Sequence, residues 1–293
     1  TRMIEDKRDR LVTILVLPLL TCSARIPVYA MITALLFADQ PLMAGLVFTG
    51  AYCMGMVAAL VMALVFKRTI LPGETRPLVL ELPGYKSPSL RAAALLTYER
   101  ARIFVKKAGT TILMISVILW AASTYPRTEV PAEVVQMRQM AAQNNDADLA
   151  GAADRLESQN ALAHSAAGRV GKFIEPVIEP LGFDWQIGVG VVSSFAAREV
   201  IVSTLAIVYG VGADAVDENP DSLLDAVRAS TRSDGTPVFT TATALSLLVF
   251  YVLAMQCLPT QVITRRETGS WKWAIFQLGY MSALAYTASL IVY

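Results

Sequence analysis

Apolar positions in this 293-residue chain are gathered into long runs separated by polar, charged connections. Six runs stand out: Leu11–Phe37, Pro41–Phe66, Ala108–Thr124, Trp185–Tyr209, Thr241–Thr264 and Trp271–Tyr293. A helix needs about 20 apolar residues to cross a bilayer, and most of these runs meet that length. Pro41–Phe66 is continuous and rich in small residues (Gly45, Gly50, Ala51, Gly55, Ala58, Ala59) that let helices approach closely. Ala108–Thr124 is shorter and ends in Trp120 and Tyr125, residue types that anchor at membrane interfaces. The pattern predicts an all-α polytopic membrane protein.

Three of the runs are interrupted. Leu11–Phe37 holds Thr21-Cys22-Ser23-Ala24-Arg25-Ile26-Pro27 at its centre, Trp185–Tyr209 holds Arg198-Glu199, and Thr241–Thr264 holds Gln256-Cys257-Leu258-Pro259-Thr260. A charge at that depth costs roughly 2.5–3.5 kcal/mol on insertion scales, and proline removes a backbone donor. Broken backbone is tolerated in a membrane only where it is buried in protein or lines a watery cavity. The interruptions therefore predict broken or re-entrant helices along a solute pathway. Pro18-Leu19-Leu20-Thr21-Cys22 followed by Pro27 resembles Ala254-Met255-Gln256-Cys257 followed by Pro259-Thr260. With the charge argument below they run in opposite directions, which predicts an inverted repeat with a site between its halves.

Composition agrees: 55% of residues are hydrophobic and 17% charged, with a mean hydropathy of +0.50. The net charge of +1 says less than its distribution. Lys67–Lys107 and Arg265–Lys272 are basic, whereas Pro126–Phe183 and Gly210–Thr240 are acid-rich. The positive-inside rule places the basic stretches in the cytoplasm and the acidic ones outside. Trp185–Tyr209 must then enter and leave on one side, as a re-entrant hairpin with Arg198-Glu199 near its tip. Ser89–Lys107 reads as an amphipathic helix at the lipid interface. The expected divisions are a membrane region over 1–125 with part of a first gate, an extramembrane helical insertion over 126–170, and a membrane region over 171–293 with a second gate. The chain starts without Met and in mid-pattern, as a fragment or a split subunit would.

Cys22, Cys53 and Cys257 are far apart and lack metal-finger or disulfide spacing. Cys53, in a smooth apolar run, reads as a small buried residue; Cys22 and Cys257 sit at the breaks. A thiol there favours soft or borderline cations, the Met255 thioether adds to this, and carbonyls freed by Pro27 and Pro259 could replace part of a hydration shell. Glu199 is a further candidate ligand, or else a counter-ion to Arg198 or Arg25. Ser23, Arg25, Pro27, Arg198, Pro259 and Thr260 are the candidate pathway residues. His164, in a polar segment, reads as a surface residue. Gly168-Arg169-Val170-Gly171-Lys172 lacks the spacing of a phosphate loop. No nucleic-acid partner is indicated.

These residues, with Ile4-Glu5-Asp6-Lys7-Arg8-Asp9-Arg10-Leu11, Pro18 through Tyr29, Glu81-Leu82-Pro83-Gly84-Tyr85, Lys106-Lys107-Ala108-Gly109-Thr110, Pro180-Leu181-Gly182-Phe183-Asp184-Trp185, Phe195-Ala196-Ala197-Arg198-Glu199-Val200 and Arg265-Arg266-Glu267-Thr268-Gly269-Ser270-Trp271-Lys272-Trp273, resemble the membrane half of the ferrous iron transport protein B family. The resemblance implies a two-gate permease of the bacterial inner membrane in which Cys22 and Cys257 line the iron route. It also implies an N-terminal GTP-binding domain, which would hold GTP and Mg2+ and is not in this chain, a first-gate element preceding Thr1, and small cytosolic accessory proteins. Arg198 replaces a lysine frequent in the family, and Gln256 and Pro259 depart from the pattern around the second thiol.

The expected function is transport of ferrous iron, Fe2+, into the cytoplasm by a non-enzymatic permease of a GTP-regulated system, in contact with lipid and open to homo-oligomer formation. No cofactor is expected in this chain. A nucleoside-like organic solute transporter of similar architecture is the alternative. A membrane scaffold or sensor is a further one and predicts tight packing around both thiols.

Overall fold

The computed structural model describes residues 4, 6–37, 40–72, 89–126, 132–144, 153, 156–157, 160–161, 164–195, 198, 200–209, 224, 227, 237–255 and 257–293. Among them the regular structure is helical, and four segments are long and apolar enough to cross a membrane: Lys7–Leu36, Pro41–Thr69, Thr241–Thr268 and Trp271–Val292. The first and third of these contain the breaks.

Helix α1, Lys7–Val16, is capped by Asp6, whose carboxylate accepts from the Arg8 amide at 2.7 Å. It gives way at Pro18 to one 3₁₀ turn, Leu17–Leu19, and then to extended backbone at Leu20 and Cys22. A second short turn, Ser23–Arg25, leads into α2, Ile26–Leu36. Pro27 lies in the first turn of α2, where a missing amide donor costs nothing. Thus Pro18 breaks the run and Pro27 restarts it, contrary to the expectation that Pro27 frees the carbonyls.

Helix α3, Pro41–Thr69, buries Ala51, Gly55, Ala59 and Phe66 along one face and exposes most of its other apolar side chains, as a lipid-facing span does. Gly55 is required by packing. A β-carbon there would stand 3.1 Å from the Leu19 carbonyl oxygen, 3.3 Å from Thr21 Oγ1 and 3.6 Å from Val252 Cγ1.

Ser89–Lys107 and Ala108–Thr124 are joined. Helix α4, Leu90–Phe104, passes through a π-helical turn at Val105–Gly109 into α5, Thr110–Thr124, as one continuous rod. No glycine-assisted left-handed cap or proline stops the chain between them, so the backbone bonds simply continue. Helix α6, Ala132–Asn144, belongs to the insertion.

Helix α7, Ala166–Ile178, packs on α8, Trp185–Ser193, through Gly171, where a β-carbon would come within 2.9 Å of the Trp185 carbonyl oxygen. Helix α9, Val200–Val208, folds back on α8: Thr204 Oγ1 donates to Ser193 Oγ at 2.9 Å, and Gly190 faces Ile201 and Leu205. Each has nine residues, about 13 Å at 1.5 Å per residue and far short of a 30 Å hydrocarbon core. This is the hairpin geometry that the charge pattern calls for, and Arg198 lies at its tip.

Helix α10, Thr241–Leu253, ends in extended backbone at Ala254 and Cys257; α11, Leu258–Thr268, then starts with Pro259 in its first turn. Helix α12, Trp271–Val292, lies along α10. Ser246 Oγ donates to the Ser289 carbonyl at 3.3 Å and Ser289 Oγ to the Ser246 carbonyl at 2.8 Å, a close small-residue contact of the kind that joins membrane helices. The core holds Leu15, Leu19, Tyr29, Ile32, Ile201, Leu205, Leu247 and Tyr251, all fully buried.

Candidate functional site: two capped helix breaks

A helix broken by proline leaves carbonyls without intrahelical partners. In water they would be hydrated; inside a membrane protein they need a donor. At the first break the donor is local. Arg25 is 1% exposed, and its guanidinium donates to the carbonyls of Pro18 at 2.8 Å, Leu19 at 3.1 Å and Leu20 at 3.4 Å. At the second break it comes from the hairpin tip. Arg198, 4% exposed, donates to the carbonyls of Tyr251 at 3.3 Å and Ala254 at 2.7 Å. The tip is tied in a second time, because the Leu258 amide donates to the Phe195 carbonyl at 3.1 Å.

The same construction therefore occurs twice: a helix C-terminus, a buried guanidinium on its carbonyls, an extended cysteine, and a new helix opened by proline. A helix end carries about half a negative charge, so each cation is partly neutralised where it sits. This revises one expectation: carbonyls freed at the breaks are occupied by arginine. Neither guanidinium forms a salt bridge among the described residues. Glu199, the expected ligand or counter-ion, lies outside the described residues, as does Gln256.

The breaks converge. Each guanidinium is within electrostatic reach of both thiols, Cys22 and Cys257, and the two guanidiniums are within reach of each other. Cys22 and Ser23 are exposed on the chain, as is Pro27; Cys257, Pro259 and Thr260 are half-buried. Cys53 is exposed on α3, not buried as the apolar run implied, because that face of α3 meets no other helix among the described residues. Met255 is 1% exposed, and Gln261 Nε2 donates to its sulfur at 2.8 Å, so the thioether already has a partner. No three His, Cys, Asp or Glu side chains are grouped as a metal cage among the described residues.

Sequence reasoning passed over several participants. Tyr29, fully buried, lies one turn after Arg25 on α2. Gln277, fully buried on α12, donates to the carbonyls of Ile14 at 2.8 Å and Leu15 at 3.0 Å, and accepts from Thr264 Oγ1 at 2.8 Å. Its signal was an amide inside an apolar run. Gly168-Arg169-Val170-Gly171-Lys172 lies within α7, with Gly171 packed against Val189, so it forms a helical contact and no phosphate cradle. His164 is exposed, as expected.

The chain is similar to known proteins along its whole length. Residues 48–100 match the model described as "Ferrous iron transport protein B C terminus", and residues 105–271 match the gate model described as "Nucleoside recognition". The chain belongs to the ferrous iron transport protein B family. It is 39% identical over 298 residues to the Fe(2+) transporter FeoB of Leptospira interrogans, covering all of this chain and 40% of that protein. It is 32% identical to the Fe(2+) transporter FeoB of Methanocaldococcus jannaschii, covering all of this chain and 38% of that protein. It is 36% identical to the Fe(2+) transport protein A/Fe(2+) transporter FeoB fusion protein of Porphyromonas gingivalis, covering all of this chain and 35% of that one. The chain thus spans about two-fifths of the length of the curated relatives it matches. No solved structure matches it. As a family member with four apolar helices able to span, it is a multi-pass membrane protein.

Proposed function

We propose that this chain is the membrane permease portion of a system that carries ferrous iron across the bacterial inner membrane into the cytoplasm. The observation that carries the reading is the convergence of two thiol-bearing helix breaks on one pair of buried guanidiniums, in a chain similar along its whole length to proteins named Fe(2+) transporters. Iron is the cargo. Cys22 and Cys257 offer sulfur to a borderline cation, with Glu199 as a carboxylate ligand. Met255 joins them only after exchanging its bond with Gln261. Arg25 and Arg198 hold the two breaks open, and Ser23, Pro27, Pro259 and Thr260 shape the backbone on which the thiols ride.

Regulation by GTP, with its Mg2+, belongs in this reading to the part of the protein beyond the chain, either fused or separate. One relative is a fusion with Fe(2+) transport protein A, which supports a small accessory partner. The insertion over 126–170 lies outside the cell in the proposed topology, and lipid surrounds the exposed face of α3.

Uptake of radiolabelled ferrous iron by the full-length protein tests the reading. Cys22→Ser and Cys257→Ser should each lower uptake by about tenfold or more, the scale on which altered metal sites lose affinity. Unchanged uptake in both variants would remove the thiols from the route. The gate description "Nucleoside recognition" favours a second reading, an organic solute of the nucleoside class. Competition by nucleosides, with indifference to ferrous iron, would select it.

A further inference from the structure

Polar atoms deep in a protein nearly always have partners, and those without one call for a missing water or ion. Four such atoms lie in this region. Thr21 Oγ1, Arg25 Nε, Tyr29 Oη and Arg198 Nε are all buried and form no hydrogen bond. They also lie together. The Tyr29 hydroxyl is beside both Thr21 and Arg25 and within electrostatic reach of Arg198, but at angles or distances that complete no hydrogen bond. The two guanidiniums act on each other as well.

The chemistry of these atoms is one-sided. A guanidinium Nε–H can only donate, and the two hydroxyls can donate as readily as accept. The sum of charge points the same way. Each arginine spends its terminal nitrogens on a helix C-terminus worth about half a negative charge. Two guanidiniums on two such ends leave a surplus near one positive charge, and neither forms a salt bridge among the described residues. The start of α2, immediately after Arg25, adds the positive end of its own dipole. Such a set of donors repels a cation and suits an anion.

We infer that the four orphaned donors of Thr21, Arg25, Tyr29 and Arg198 form a binding site for one small monovalent anion, of the chloride class. A single negative charge matches the surplus; a divalent oxyanion would exceed it and cost more to bury. The site binds without iron. Its consequence for transport rests on the iron reading: an anion there lowers the positive field that a divalent cation meets on approaching Cys22 and Cys257.

The test uses purified full-length protein in lipid nanodiscs, free of iron. Chloride is exchanged for gluconate at constant ionic strength while thermal unfolding is followed, and radiolabelled chloride is measured by equilibrium binding. Saturable stabilisation by chloride with one bound ion per chain is expected, since a ligand that binds only the folded state raises its stability. Tyr29→Phe, which keeps the ring and removes the donor, should raise the chloride midpoint about tenfold. Thr21→Val should act in the same direction and covers the case in which Tyr29→Phe does not fold. Stability indifferent to the anion, with no bound chloride, would mean that water serves these donors and would overturn the proposal. So would chloride dependence that appears only in Glu199→Gln, because the counter-charge would then be that carboxylate. Neither result bears on iron uptake, so this proposal and the transport reading fail separately.

Discussion

Thr264 Oγ1 donates to Gln277 Oε1 at 2.8 Å, and the amide nitrogen of the same Gln277 donates to the Ile14 and Leu15 carbonyls. One side chain thus joins the helix that leads into the first break to the helix that leaves the second. Tyr280 Oη adds a bond of 2.6 Å to the Leu15 carbonyl, and Arg10 Nη2 reaches the Glu267 carbonyl at 3.1 Å. The two thiol-bearing segments are consequently parts of one hydrogen-bonded body, and a shift of either is felt by the other.

Replacing Gln277 tests that link. Gln277→Leu keeps the volume and strands the Thr264 hydroxyl. It should destabilise the protein by about 1–3 kcal/mol, the cost of a buried polar group left unpaired. Melting temperature in detergent measures it. A double-mutant cycle with Thr264→Val should be non-additive, because the two residues share one bond. Additive losses would separate them.

Arg198→Leu should be more severe. It leaves the Tyr251 and Ala254 carbonyls without their donor, and hydrogen bonds to charged groups contribute about 1.5–3 kcal/mol each. Arg198→Lys keeps the charge but lacks the planar fork that reaches two carbonyls, so its stability should fall between wild type and Arg198→Leu. Yield and melting temperature of the three proteins give the order.

Gly55→Val places branched carbon against the Leu19 carbonyl and Thr21, where even one added carbon stands at 3.1 Å. Overpacking of this kind costs about 1–3 kcal/mol. Gly45 and Gly279 have open space around them, so the same change at either should leave stability within about 0.5 kcal/mol. Thermal unfolding of the three variants reads the contrast.

Membrane-impermeant thiol reagents should label Cys22 and Cys257 and spare Cys53, although Cys53 is exposed on the chain. Its face of α3 is apolar (Met56, Val57, Leu60) and suits lipid, which such reagents do not enter. Ferrous iron should protect the labelled pair. Labelling of Cys53 alone would place the route elsewhere.

The hydrophobic pattern read the helical class, the interrupted spans and the folded-back pair α8–α9 correctly, because bilayer length and charge bias act on stretches of sequence that are contiguous. It placed Cys22, Arg25, Arg198 and Cys257 at the breaks for the same reason. It did not reveal that Arg198 serves carbonyls 53 and 56 residues away, since nothing in a local window marks a carbonyl as needing a donor. Counting charges alone did not show that helix ends are partners of both arginines. The π turn at Val105–Gly109 was hidden because the change from basic to apolar residues there looks like an element boundary while the backbone continues through it.

The two guanidinium caps differ in when they become available. Arg25 lies only five to seven residues from the carbonyls it serves, so the first break completes itself as soon as that stretch of chain has been made. The second cannot. Arg198 is made well before Tyr251 and Ala254, and chains emerge at about 5–20 residues per second, so the cation precedes its target by several seconds. The end of α10 at Leu253 therefore gains its cap only from chain made earlier, not from its own neighbourhood. A chain cut between the hairpin and α10 should still insert both pieces, and the second piece alone should lack a defined end at Leu253.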